Sequence, residues 1–331
     1  MAKTLVRVLL NTAIGVVLIY FWLKLVNLEE IKQTLVSFNP LILIPAILSL
    51  ALASILKALR FKVLLSETAD ISFLRMVYLT FVSQLLSFTI PVRAGEVAKG
   101  VYLSTQYNLH FGKAVVWVFL DRFLDFWAAL GLSLVLLLII PTNLPQSLTI
   151  ILLAGVIVAS LITVLIVFRP AYFHRLSKFL SHLLIINLLK VKFLKLSFFI
   201  VDCFALLGGN FSRSFRLAIL TVVASLFEGL CWYLIFAFYI PDVSVFKVWL
   251  GSMLTALTFL IPAAPGYVGS AEAAGLAVFS FGLGLSQSIV PAVTIIFHAV
   301  GLVFILSSGI LGLFMLKFNL KLVWKRLLNR S

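Results

Sequence analysis

Six stretches of the chain, at about 5–26, 40–56, 113–140, 147–168, 213–240 and 286–316, are apolar over a length suited to crossing a bilayer. A helix needs about 20 such residues to traverse ~30 Å of hydrocarbon. With no water at that depth, backbone polar groups must pair within the segment, so each run is expected to be helical. A membrane barrel would instead show alternating segments of ~10 residues, and these runs are continuous. The remaining composition agrees: 63% of the 331 residues are hydrophobic and 11% are charged, a balance foreign to soluble domains. Two further apolar runs, 73–90 and 245–262, stop at Pro91 and Pro262.

The first run follows Lys3 and Arg7, is too long for the core of a signal peptide, and is expected to remain as a span. Lysine and arginine in the connecting segments set the orientation. Segment 57–75 carries Lys57, Arg60, Lys62 and Arg75, and 169–216 carries eight basic residues against Asp202. The tail from Lys317 adds five more, whereas 141–147 and 282–288 carry no charge. Both termini therefore fall inside. With 113–140 starting inside, 76–112 must leave and return on one face, and the same count makes 248–281 return on the other. The proline-ended runs are read as re-entrant hairpins, with eight full spans as the alternative. The basic excess of 26 Lys and Arg over 11 Asp and Glu is thus an orientation signal, and no nucleic-acid partner is expected. Cys203 and Cys231 are too few for a disulfide framework. The whole chain is one integral membrane unit: a first half to 168, basic interfacial helices over 169–212, and a second half over 213–331. In the middle piece Arg175, Lys178 and His182 share a helical face suited to anionic lipid on the inner leaflet, though topogenic charge alone is an equal explanation.

The two proline blocks resemble each other. Leu86-Ser-Phe-Thr-Ile-Pro91 and Leu257-Thr-Phe-Leu-Ile-Pro262 share four identities and a Ser/Thr exchange. Each is followed by glycine, glutamate and an alanine-rich helix start: Gly95-Glu96, and Gly269 to Glu272. The blocks lie 171 residues apart and are expected in opposite orientation. Interrupted segments at matching points of two halves mark the binding site of many transporters. In the first block, Arg93 offers a forked donor for a phosphate, Gly95 permits close approach, and unpaired amides open the next helix, with Lys99 one turn on. The alternative is that Glu96 and Glu272 simply neutralise helix N-termini.

Charges also occur inside the spans. Asp121 lies about 12 Å beyond Lys113, at a depth where each charge costs roughly 2.5–3.5 kcal/mol. Asp121 and Asp125 share a face, and Arg122 can pair with Asp125 at i, i+3. Arg93 or Lys99 is a plausible further partner. The set is either a self-neutral structural network or one that opens to admit a charged headgroup or a proton. Glu228 has no basic residue within ten positions, so it must protonate or find a distant partner. His298 sits in the last run. Lys57 and Arg60, at the end of the second span, are expected to snorkel to the headgroups.

Taken together, Lys57-Ala-Leu-Arg60-Phe, Pro91-x-Arg93-x-Gly95-Glu96, Asp121-Arg122-x-x-Asp125 and Pro262-x-x-Pro265-Gly266-x-x-Gly269-x-x-Glu272 resemble the lysylphosphatidylglycerol synthase transmembrane-domain family. The resemblance implies an all-α polytopic membrane protein of about six spans plus two inverted hairpins. It implies movement of an anionic phospholipid or polyprenyl-phosphate-linked lipid between leaflets of the cell (inner) membrane. It points to Arg93, Gly95, Glu96, Asp121, Arg122, Pro265, Gly266, Gly269 and Glu272. Tyr267 departs from the family, which often has glycine there. The chain stops 15 residues after Leu316, so the soluble aminoacyl-transfer activity of synthase members is not expected. The rival reading is an intramembrane transferase on polyprenyl phosphate, its Asp121-x-x-x-Asp125 holding Mg²⁺, or an accessory subunit beside glycosyltransferases or lipid synthases. A second acidic pair is missing, and no protease motif occurs, so no catalytic residue, metal or cofactor is expected.

Overall fold

The computed structural model describes residues 2–90, 94–143, 146–184, 186–258 and 264–323, and among these every regular element is helical. Helix α1 (Ala2–Leu25) turns through 89° into α2 (Leu28–Ser37), whose cap Asn27 accepts the Glu29 and Glu30 amides. A 3-10 turn at Pro40–Ile42 leads into α3 (Leu43–Leu65). Helices α4 (Phe73–Thr89) and α5 (Ala94–Gln106) precede the long α6 (Phe111–Ile139). Helix α7 (Gln146–Phe168) breaks by 111° into α8 (Pro170–Ser181), because Pro170 forces Arg169 out of helical geometry (φ −135°, ψ 52°). Then come α9 (Asn187–Gly208), α10 (Phe211–Tyr239) and α11 (Val245–Thr258). Helix α12 (Ser270–Gly275) continues as a π-helix to Gly282, and α13 (Val290–Met315) closes the bundle. Among the described residues four helices, α3 (with its leading turn), α6, α10 and α13, can cross a membrane, or six counting the two bent pairs.

Helices α3 and α10 form the centre and run antiparallel. Ser49 Oγ donates to the Phe227 carbonyl, Arg60 reaches Thr221, and Arg213 meets Glu67, so partners descend along α10 as α3 ascends. Around this pair, α4 packs on α13 while α11 packs on α6. Gly309 and Gly312 permit the first contact, since a Cβ there would lie 2.4 Å from Leu85 and 2.7 Å from the Tyr78 carbonyl. The exchanged pairing of α3–α6 with α10–α13 is the contact pattern that an inverted repeat would give.

Helices α4 and α11 are apolar but only 17 and 14 residues long. At ~1.5 Å per residue they reach about 26 and 21 Å, short of a full crossing. Both fold back. A Cβ on Gly95 would sit 1.9 Å from the Ser83 carbonyl oxygen, so α5 begins hard against the side of α4. At the open end of this hairpin Arg75 donates to the Tyr107 hydroxyl (3.3 Å). In the second hairpin the Phe279 ring occupies the space of a Cβ on Gly251. Its open end is pinned where Asn143 N–H donates to the Gly282 carbonyl (2.9 Å), beyond the far end of α6. The hairpins therefore enter from opposite ends of the bundle. Pro91, Arg93 and Pro262 lie outside the described residues.

Phe318, just past α13, stacks on Tyr102 near the open end of the first hairpin. Trp22, near the end of α1, is buried with Leu276 and Ala292. The start of α1 thus points toward the end of the bundle that carries Met315. One expectation needs correction. Helix α9 is not merely interfacial: Cys203 and Phe204 are buried, with Phe204 edge-on to Phe123 of α6 at 4.4 Å. Its later half, Leu-Ser-Phe-Phe-Ile-Val, is too apolar to forgo that packing. Helix α8 keeps the expected face, with Arg175, Lys178 and His182 exposed and Ser177 and Ser181 buried.

Candidate functional site

The intramembrane charges converge on one residue that the sequence placed elsewhere. Arg60 of α3 is fully buried. Its Nε and Nη2 both donate to Asp121 Oδ1 (3.1 and 2.7 Å), Nη2 also reaches the Asp121 carbonyl (3.0 Å), and Nη1 donates to Asp125 Oδ1 (2.6 Å). Lys99 of α5 donates to the other Asp121 oxygen at 2.8 Å while its ammonium lies 4.3 Å from the centre of the Phe61 ring. One guanidinium thus spans both aspartates and ties α3 to α6, while Lys99 ties in the first hairpin. Arg60 does not snorkel. Five residues before the end of α3, a helix whose other charges are Lys57 and Lys62, it is neutralised from α6.

Arg122 is held differently. Its contacts with Asp121 and Asp125 are both 3.4 Å, its side chain is 33% exposed, and Nε has no hydrogen-bond partner among the described residues. Glu96 acts on it through its charge from the first turn of α5. Lys57 likewise does not snorkel: its ammonium pairs with Glu228 of α10, the distant partner that carboxylate required. The second hairpin repeats the device. Glu272 of α12 pairs with His298 Nδ1 of α13 at 2.7 Å, and His298 Nε2 meets the Gly266 carbonyl at 2.7 Å. Each returning limb is therefore tied to the following span by an ionisable pair, Lys99–Asp121 in one half and Glu272–His298 in the other.

The turn before α12 explains its glycines. Pro265 opens a 3-10 turn, Gly266 takes φ 70° and Gly269 φ 82°, and the Gly269 N–H donates to Glu272 Oε2 at 2.7 Å. Tyr267 adopts φ 58°, a left-handed conformation costing a non-glycine residue roughly 1–2 kcal/mol. That is why glycine suits this position. Two of the proposed approach glycines are already occupied by protein. Gly95 faces Ser83 and Ser87 of α4, and Gly269 faces the Gly15 carbonyl of α1. Glu272 itself caps α12. These glycines thus let helices approach closely.

Three adjoining cavities connect the pieces. The central one, about 270 Å³, lies between Ser83, Gln84 and Ser87 of α4, Arg122, Glu228, and Tyr267 and His298 of the second half. A second, about 280 Å³, shares Arg122 and Glu228 with it and adds Lys57 and Asp125. A third, about 330 Å³ and more open, shares Phe88 and His298 and is lined by Gly266 and Glu272. Both hairpins thus wall one partly polar path, and Arg122 stands at the junction of its two inner chambers. Of the expected site residues, Arg122, Asp125, Glu228, Gly266, Glu272 and His298 line it. Gly95, Lys99, Asp121, Pro265 and Gly269 act as supports, and Arg93 is not among the described residues. The paired aspartates make poor metal donors, because Asp121 already meets Arg60 and Lys99 and Asp125 meets Arg60. Among the described residues no cluster of three His, Cys, Asp or Glu side chains could hold a metal ion.

An all-α polytopic membrane protein with inverted hairpins around a charged cavity is the class these features define. Residues 8–309 match the family model described as the lysylphosphatidylglycerol synthase TM region, and the chain belongs to that family. Membership gives it a membrane-lipid-related role. No curated protein matches the chain.

Proposed function

We propose that this protein moves a lipid with an anionic phosphate headgroup between the leaflets of the cell membrane, through the cavity between its hairpins. The observation that carries this is Arg122: a side chain one-third exposed, loosely tethered at 3.4 Å, whose buried Nε has no hydrogen-bond partner among the described residues, lining both inner chambers. A fork of this kind pairs well with a phosphate, and the buried Arg60 keeps the aspartates neutralised when Arg122 swings away. The lipid tails would remain against the apolar walls while the headgroup crosses the polar path. Enzymes that make or consume such a lipid are the natural partners.

The test is reconstitution in liposomes with a leaflet-restricted fluorescent phosphatidylglycerol. Wild-type protein should equilibrate the probe between leaflets without changing it chemically. Arg122→Gln should slow movement about tenfold or more, and Arg122→Lys should restore only part of the rate, because a point charge replaces a fork. Chemical conversion of the probe would support the transferase reading instead, and a wild-type rate in Arg122→Gln would remove Arg122 from the path.

A further inference from the structure

We infer that Glu272 and His298 form a proton-binding site that couples lipid movement to a proton gradient; this rests on the transport reading above. The Gly266 carbonyl can only accept, so His298 Nε2, 2.7 Å away, carries a proton. His298 Nδ1 and Glu272 Oε1 also stand 2.7 Å apart, and two lone pairs do not approach so closely without a proton between them. Whether that proton sits on the ring or on the carboxyl, the pair holds one more proton than a neutral histidine beside a carboxylate. Its departure leaves lone pair against carboxylate, and the contact opens.

The position of the pair turns this into a device. His298 lines both the central and the open cavity, and Glu272 lines the open one, so the proton lies between the two. The pair clamps the turn of the second hairpin onto α13, through the carbonyl of Gly266 and the N–H of Gly269. That turn holds three residues at positive φ, Gly266, Tyr267 and Gly269, and Tyr267 stores strain there. The ionisable groups facing the pair are few. Among the described residues the turn brings Tyr267 and α4 brings Phe88 with the uncharged Ser87 and Gln84, α1 meets the neighbouring Gly269 through Gly15 and Ile19, and Arg122 of α6 and Glu228 of α10 face the pair across the central cavity. A proton taken from water at one face clamps the turn, and its release to the other face frees the turn to move against α13.

Two measurements test this. In liposomes carrying lumenal pyranine, a pH gradient of one unit should change the wild-type rate of phosphatidylglycerol-probe movement several-fold, with probe-dependent acidification or alkalinisation of the lumen. Glu272→Gln and His298→Gln should lose the gradient response. Movement indifferent to the gradient, with silent pyranine, would overturn the coupling and leave transport standing. Absence of any probe movement in wild type would instead sink the transport reading. Independently, ¹⁵N-histidine NMR of the solubilised protein, with the resonance assigned by His298→Gln, follows the His298 proton directly. Glu272→Gln should lower its proton affinity at least about tenfold, and an unchanged midpoint would overturn the site whatever the liposomes show.

Discussion

Replacing Arg60 with alanine is the most informative single perturbation of this bundle. Arg60 is completely buried and makes three bonds to Asp121, counting its carbonyl, and one to Asp125. After its removal Asp121 keeps Lys99 at 2.8 Å and Asp125 keeps the looser Arg122 at 3.4 Å, and the cluster, with Glu96 counted, goes from three charges of each sign to one net negative charge. Breaking a buried pair from one side costs about 3–5 kcal/mol. That is a large fraction of the roughly 5–15 kcal/mol that holds a typical domain together. Arg122→Ala should cost less than about 1 kcal/mol, because its contacts are long and its side chain is partly open to the cavity. SDS-driven unfolding in mixed micelles, followed by tryptophan fluorescence, measures both. The inequality is the test. If Arg60→Ala lies within about 0.5 kcal/mol of wild type, or Arg122→Ala is the costlier change, the assignment of Arg60 as keystone and Arg122 as the free arm is wrong.

Gly95→Ala should destabilise the protein by about 1–3 kcal/mol, since its Cβ would strike the Ser83 carbonyl 1.9 Å away; a melting temperature equal to wild type would contradict the close hairpin. Gly269→Ala adds left-handed strain of about 1–2 kcal/mol to a clash with the Gly15 carbonyl at 2.3 Å, and thermal unfolding should show it as the more damaging of the two. A double-mutant cycle on Lys57→Met and Glu228→Gln should yield a coupling of about 0.5–3 kcal/mol, whereas additive losses would mean the pair is incidental. With Cys203 and Cys231 replaced, single cysteines at exposed Asn108 and Asn143 should react with impermeant reagents from opposite faces; labelling from one face would undo the inverted arrangement.

The spans, the two hairpins and their opposed orientation were legible because hydrophobic length, proline position and loop charge are local quantities. So was the charged face of α6, since Asp121, Arg122 and Asp125 are helical neighbours. What could not be read was which charge neutralises which. Lys57 and Arg60 sit near the end of a span, where snorkelling is the ordinary outcome, and their partners lie 171 and 61 residues away. The signal lay in complementarity between spans: Glu228 needed a base, and Lys57 and Arg60 share a helical face with no acid beside them. The packing at Gly95 and Gly269 was hidden for a related reason. A glycine near a helix start reads alike whether it admits a phosphate or a neighbouring helix, and only the position of Ser83 or Gly15 decides.

The packing of α4 on α13 bears on how the chain is made. Helix α4 is too short to cross and carries Ser83, Gln84 and Ser87 on the side that faces the central cavity, yet the helix it leans on emerges from the ribosome some two hundred residues later. Until then this segment is walled only by α3, where Ser54 pairs with Gln84, and by α5, and the side it turns to α13 is bare. The first hairpin is therefore closed on its α3 side early in synthesis and on its α13 side only when the last helix arrives. A chain cut short before α13 is thus not a slightly smaller bundle but one whose first hairpin and central cavity both lack a wall.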